Sequence, residues 1–184
     1  MAEDQVVIRR LRMALNARFI ALVLSDQAAA RTRLLNNLIQ TLPAEQHRIL
    51  SVRVHRSATR AQLTRLITRA AGLINEGSGT AAVARSSSAA YDLWRRFEAD
   101  VLRCYAEGRR TLLIFDDAHL LSAAGMHLIH ALSNITTAGH DLAVPLVLAA
   151  NTSFAVRLRR PAWRALASRT GAIVRLANNG SDTF

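Results

Sequence analysis

The sequence contains no lysine, and all 24 of its basic residues are arginine. Acidic residues number only 13, so the formal net charge is +11 at pH 7. Chemistry that needs a lysine ammonium group is therefore excluded. The arginine excess has two interpretations, which both stay open: the bias of an arginine-favouring genome, and contact with an anionic partner such as nucleic acid.

Cysteine, aromatic residues and long apolar runs are also scarce. The single cysteine, Cys104, excludes an internal disulfide and a multi-cysteine metal site. Aromatic residues make up 5% of the chain, and few of them lie among the arginines, which argues against a stacking platform for single strands. No apolar run approaches the roughly 18–20 residues that cross a bilayer, and the acidic start is unlike a signal peptide. We therefore expect a soluble, cytoplasmic protein without a membrane span.

Apolar runs alternate with amphipathic stretches along the 184 residues, which is typical of an α/β domain. We predict a three-layer sandwich around a five-stranded, mainly parallel sheet, with one domain over residues 1–178 and a frayed tail at 179–184. The predicted strands lie at 19–24, 49–54, 111–115, 143–150 and 172–176. The predicted helices lie at 29–42, 57–74 (capped by Ser57), 89–107, 122–136, 154–159 and 161–169, with a mobile loop at 75–88.

Polar residues follow three of the predicted strands. The first strand leads into residues 25–32, the third ends at Asp116-Asp117, and the fourth ends at Asn151-Thr152. In a parallel sheet these carboxyl ends lie side by side, where such sheets bind ligands. The order and spacing resemble those of a P-loop nucleoside triphosphatase.

Over about residues 15–178 the chain resembles AAA+ ATPases of the ExeA (general secretion) and TniB (transposition helper) type. Residues 111–121, Thr-Leu-Leu-Ile-Phe-Asp-Asp-Ala-His-Leu-Leu, are similar to that family's Walker B strand. Residues 132–134, Leu-Ser-Asn, and the segment 158–169 around Pro161 are similar to two later family segments. The resemblance implies the strand order 5-1-4-3-2. The family has a helical lid after the fifth strand, and we expect no C-terminal lid here.

The resemblance also implies roles for individual residues. Asp116 would be the Mg²⁺-associated carboxylate and Asp117 the residue that polarises the attacking water. Asn151 would be the sensor group at the end of the fourth strand. Arg164 and Arg169 are the candidates for an arginine finger. A plain surface turn after the strand is the alternative interpretation of Asp116.

The candidate phosphate loop departs from the family pattern at nearly every diagnostic position. Ser25 and Ala30 stand where two glycines let the backbone curl around phosphates. Arg31 stands in the place of the lysine, and a flat guanidinium does not replace a compact ammonium. Only Thr32, which would bind Mg²⁺, matches. We therefore predict a degenerate Walker A motif, with Ser25, Ala30, Arg31, Thr32 and Asn151 as the nucleotide-binding candidates.

Asp26 adds a negative charge to the same loop. We expect Ser25 or Asp26 to cap the following helix and to occupy its N-terminal amide groups. A carboxylate about 4 Å from a phosphate charge repels it by roughly 4 kcal/mol at an effective dielectric of 20. We therefore expect no resident cofactor; Mg²⁺-ATP is the alternative, in which Thr32 and Asp116 would hold Mg²⁺ only if the nucleotide binds.

Two long stretches lack acidic residues, from Gln46 to Asn75 and from Leu142 to Ser181. Arginines in them could contact phosphates without sequence specificity. The nucleic-acid candidates are Arg56, Arg60, Arg65, Arg69, Arg159 and Arg160. The alternative is a solvated face in an arginine-biased protein.

Three functions follow from these patterns. The leading one is a degenerate AAA+ module with weak or absent ATP hydrolysis, which serves as an accessory or regulatory subunit of a transposition, DNA-processing or secretion assembly. Its protein partner would be an active ATPase, a transposase or a secretion component, in a homo- or hetero-oligomer. The alternatives are an active ATPase that uses Arg31, Thr32, Asp116 and Asp117, and a non-specific nucleic-acid-binding module.

Overall fold

The structure is a computed structural model that describes residues 2–17, 19–74, 87–139 and 142–176. The predicted tail at 179–184 and most of the predicted loop at 75–88 lie outside these ranges. The helices are α1 (Ala2–Asn16), α2 (Ala28–Gln40), α3 (Arg60–Ala70), α4 (Ser87–Ala106), α5 (Ala123–Leu132), α6 (Ser153–Leu158) and α7 (Arg164–Ala167). The strands are β1 (Ile20–Leu24), β2 (His47–Arg53), β3 (Arg110–Asp116), β4 (Leu146–Ala150) and β5 (Thr170–Arg175).

The five strands form one sheet in the order β2-β3-β4-β1-β5, and every neighbouring pair is parallel. The interior strand β1 pairs on one side with β4, where Leu22 lies opposite Leu148, and on the other with β5. This is the predicted order 5-1-4-3-2 counted from the other edge. The predicted fold class and strand order are therefore confirmed, while the expected lack of a lid stays a prediction.

Each face of the sheet is covered by helices, which makes three layers. Along β1, Ile20, Leu22 and Leu24 point into a core formed with α3, α4 and α5. Ala21 and Val23 point into a second core formed with α1 and α2. All five β1 residues are buried, as expected for a strand that is covered on both faces. Among the described residues, no helix has both the length and the apolar character to cross a bilayer.

Helix α1 was not among the elements predicted from the sequence. Its Ile8, Leu11 and Leu15 are buried against β1 and α2 in the second core. Their spacing of three and four residues is the signal of an amphipathic helix. The periodicity was therefore available in the sequence, although the family resemblance begins only near residue 15.

Local capping decides where several helices begin and end. The prediction that Ser57 caps α3 is wrong: the cap is Thr59, whose side chain accepts a hydrogen bond from the Gln62 amide while the Gln62 side chain accepts one from the Thr59 amide. Ser57 instead lies in a turn with a φ of +64°. Gly72, with a φ of +72°, follows α3 in the left-handed conformation that ends helices, so α3 stops before the predicted residue 74.

Two other predicted helices are also shorter than expected. Ser133 is the C-cap of α5, so that helix does not reach residue 136. The helix predicted at 161–169 is a 3-10 turn at Pro161–Trp163 followed by the single turn of α7.

Candidate functional site

The candidate site lies at the carboxyl ends of three adjacent strands, β3, β4 and β1. Ser25 follows β1, Asp116 ends β3, and Asn151 follows β4. The Ser25 amide donates to the carbonyl of Ala150 at 3.0 Å, which joins the ends of β1 and β4. The sheet therefore brings together the three polar segments that are far apart in the sequence.

Only three residues, Ser25 to Gln27, connect β1 to α2, which begins at Ala28. Alanine has the highest helix propensity, so Ala28, Ala29 and Ala30 extend the helix into the region where a phosphate loop would curl. The prediction that Ser25 or Asp26 caps α2 is wrong. The cap position is Gln27, which makes no side-chain cap bond, and the Ser25 hydroxyl accepts from the Gln27 amide at 3.2 Å, within the turn.

The Asp26 carboxylate does not cap α2 but binds Thr152, which lies just after β4. It accepts hydrogen bonds from the Thr152 amide at 3.0 Å and from the Thr152 hydroxyl at 2.9 and 2.8 Å. The bond from the Thr152 backbone is the main cause that holds the pKa of Asp26 below its ordinary value. Thr152 was not predicted as a partner of Asp26, although it directly follows the sensor candidate Asn151.

Arg31 lies under this turn with only 4% of its side chain exposed. Its Nη1 donates to the Ser25 carbonyl at 2.6 Å, and its Nη2 lies 2.5 Å from Oδ1 of Asp117. Its Nε is buried and has no hydrogen-bond partner within the described residues. Arg31, which stands in the place of the Walker A lysine, is therefore paired with Asp117, the residue to which the resemblance assigns the polarisation of water.

The two aspartates after β3 have different environments. Oδ1 of Asp116 accepts from the Asp117 amide at 2.9 Å, and Oδ2 of Asp116 lies 3.8 Å from Nη2 of Arg53. Asp117 has a φ of +56°, a left-handed conformation that aspartate tolerates better than most residues. Nearby, burial lowers the pKa of His119, and the charges of Arg31 and Arg56 act in the same direction.

A triphosphate needs a cradle of successive backbone amides, which a nest of alternating right- and left-handed residues provides. Among the described residues, positive φ angles occur at Ser57, Gly72, Gly108 and Asp117, and none falls within residues 25–32. The turn in this structure therefore does not fit a triphosphate. Thr32 and Asp116 are the residues that would hold Mg²⁺ if a nucleotide were bound.

Comparison with known proteins identifies the family. A family model described as an AAA domain matches residues 20–158. The chain belongs to the AAA domain family. No curated protein shows significant similarity to it.

Solved structures with this fold include two origin recognition proteins of Aeropyrum pernix. ORC2, described with ADPNP and ADP, has a TM-score of 0.67 at 16% identity, covering 95% of this chain and 47% of that one. ORC1, described in complex with DNA, has a TM-score of 0.69 at 17% identity, and the match covers 96% of this chain and 44% of ORC1. Cdc6p of Pyrobaculum aerophilum has a TM-score of 0.64 at 15% identity, and the match covers 93% of this chain and 44% of Cdc6p. The chain thus spans less than half the length of these relatives, and the likeness is one of fold.

In this AAA domain the arginine-finger candidates lie in different settings. Arg164 is exposed. Arg169 donates from Nη1 to the Ser133 carbonyl at 2.7 Å and to the Ser133 hydroxyl at 2.9 Å, and it also bonds to Oδ1 of Asn134. A cation at the C-terminal end of α5 is favoured by the helix dipole. Two segments that carried the family resemblance are therefore in direct contact, while the finger role stays a prediction.

The six nucleic-acid candidates do not form one group. Arg56, Arg65 and Arg69 line a single surface pocket. Arg60 is exposed on α3, the helix that carries Arg65 and Arg69, but it does not line the pocket. Arg159 and Arg160 are exposed after α6. The structure thus brings three of them together.

Proposed function

We propose that this AAA domain is a degenerate accessory module, which acts through contacts in a larger assembly and does not itself hydrolyse ATP. The observation that carries the proposal is the ion pair between Arg31 and Asp117. Arg31 occupies Oδ1 of Asp117, and freeing that oxygen to polarise water would break the pair with a guanidinium that is almost fully buried. Leaving such a charge without its partner is strongly unfavourable.

The turn between β1 and α2 supports the same proposal. Its three residues include no glycine and none has a left-handed conformation. One of them, Asp26, is exposed. Its hydrogen bonds to Thr152 favour the charged carboxylate, so a negative charge lies close to the place where a phosphate would approach. Charge repulsion and the missing amide cradle both oppose triphosphate binding.

For the assembly, we propose a transposition, other DNA-processing or secretion complex, in keeping with the ExeA and TniB resemblance. The partner would be an active ATPase, a transposase or a secretion component, in a homo- or hetero-oligomer. A cytoplasmic location is part of the same proposal. Proteins that co-purify with the chain from its native host would identify the complex.

Isothermal titration calorimetry of the intact chain with Mg²⁺-ATP tests the proposal. We expect no micromolar binding by the unaltered protein. A restored variant, Ser25→Gly/Ala30→Gly/Arg31→Lys, should bind more tightly because it regains the flexible loop and the compact ammonium. Arg33→Lys is the matched control, since Arg33 lies on the same helix with 66% of its side chain exposed. Micromolar binding by the unaltered chain would refute the proposal.

An active ATPase is the second candidate, and the convergence of residues 25–32, Asp116-Asp117 and Asn151 at one edge of the sheet favours it. In that case Arg31 and Thr32 would contact phosphate while Asp116 and Asp117 act in hydrolysis. Turnover by the unaltered chain that is lost in Asp117→Asn would establish this function and remove the first.

A further inference from the structure

A pocket of about 530 Å³ lies beside the end of β2 and the first turns of α3. Its wall includes the side chains of Arg56, Arg65 and Arg69, together with His55 and Gln62. Ala58 and Leu66 add an apolar part to the wall. The pocket shares no residue with the Arg31–Asp117 pair.

The local backbone explains why the arginines meet there. Arg65 and Arg69 are four residues apart on α3, so they lie on one face of the helix. Arg56 comes from the turn after β2, in which the Ala58 amide donates to the His55 carbonyl and Ser57 is left-handed. The capping box of Thr59 and Gln62 fixes the start of α3 against this turn.

Two of the three pocket arginines, Arg56 and Arg65, have no acidic partner within the described residues. No acidic residue occurs between Gln46 and Asn75. Neither Arg56 nor Arg65 forms an ion pair with any residue in the described ranges, whereas Arg31, Arg48 and Arg103 each contact an aspartate. A concave site in which two guanidinium groups, those of Arg56 and Arg65, have no acidic partner within the described residues favours an anionic ligand.

We propose that this pocket binds a small phosphorylated ligand, a phosphomonoester or a diphosphate, through Arg56, Arg65 and Arg69. Guanidinium groups match the geometry of phosphate oxygens and bind them in a bidentate manner. The volume lies in the range of small-molecule sites, and Ala58 and Leu66 can contact the rest of such a ligand. A nucleic-acid backbone carries the same phosphate chemistry, but an extended row of arginines would suit it better than three that line one pocket.

Calorimetric titration of the intact chain with inorganic pyrophosphate at low ionic strength tests the proposal. We expect saturable binding with one site per chain. Arg56→Gln, Arg65→Gln and Arg69→Gln should each weaken it about tenfold or more, since each removes a charged hydrogen-bond donor. Arg60→Gln is the matched control, with the same change on the same helix outside the pocket, and should weaken binding less than about twofold. Circular dichroism of each variant establishes that it is folded.

Three outcomes would overturn the proposal. One is the lack of saturable pyrophosphate binding by the unaltered chain. Another is binding that survives in all three pocket variants, because the ligand would then lie elsewhere. The last is equal weakening by Arg60→Gln together with tight, salt-sensitive binding of a short DNA duplex, which would mean a diffuse nucleic-acid surface. None of these outcomes bears on ATP binding at residues 25–32, so the two proposals fail independently.

Discussion

Removing the carboxylate of Asp117 should destabilise the fold, because Arg31 would then be a buried cation without its counter-charge. The change to test is Asp117→Ala. Arg31 has 4% of its side chain exposed and Asp117 has 27%, with 2.5 Å between Nη2 and Oδ1. The ion pair therefore has one buried partner and one that water reaches in part.

The expected size of the effect follows from these exposures. Removing one partner of a fully buried pair costs about 3–5 kcal/mol of unfolding free energy. Exposed pairs contribute about 0–1 kcal/mol. Because water reaches Asp117 and Arg31 keeps its bond to the Ser25 carbonyl, we expect an intermediate loss of about 2–3 kcal/mol.

Urea denaturation at neutral pH measures this loss, and a double-mutant cycle isolates the pair. The cycle combines Asp117→Ala with Arg31→Met, which keeps most of the buried stem of Arg31. We expect the double variant to be more stable than the sum of the two changes predicts, by about 1–2 kcal/mol. Arg33→Met is the control on the same helix and should change the free energy by less than about 0.5 kcal/mol.

A coupling energy near zero would refute the reasoning, and so would an Asp117→Ala variant as stable as the Arg33→Met control. Either result would mean that the ion pair does not hold Asp117 in place. The main support for an inactive module would then be lost.

Two further predictions concern other carboxylates. Asp100 is buried, with Oδ2 2.6 Å from Nη1 of Arg48 and Oδ1 2.5 Å from Nη2 of Arg103. Asp100→Ala should therefore lower the unfolding free energy, measured by urea denaturation, by about 3 kcal/mol. Glu98→Ala is the control and should lower it far less. Asp26 has a lowered pKa in the folded chain, so its stabilising effect is present above the ordinary aspartate pKa and lost as the pH falls through the folded value. Between about pH 6 and about pH 3, the urea midpoint should therefore decrease less in Asp26→Asn than in the unaltered chain. Equal decreases in the two proteins would contradict this.

The sequence was sufficient to predict the sheet. Continuous apolar runs such as Leu112–Phe115 indicate strands that are buried on both faces, and the polar residues after them mark one edge of the sheet. The strand order came from the family resemblance, and the parallel pairing of β1 with β4 and β5 confirms it. Element boundaries were predicted less well. Ser57 and Thr59 are both suitable caps, but only Thr59 has a glutamine three residues later, so the capping-box pattern in the sequence already favoured Thr59.

The partners of the site residues were not predictable from the sequence. Ser25 or Asp26 was expected to cap α2, but Asp26 binds Thr152, which is 126 positions away. Arg31 and Asp117 are 86 positions apart, and nothing local to either segment indicates that they meet.

The sequence alone thus determined the α/β architecture and the chemical character of the segments at one edge of the sheet. These depend on local hydrophobicity and on short-range helix and strand preferences. Which charges neutralise each other was decided only by the tertiary structure, because it depends on how β1, β3 and β4 are placed side by side. Ion pairing acts over a few ångströms in space and takes no account of separation along the chain.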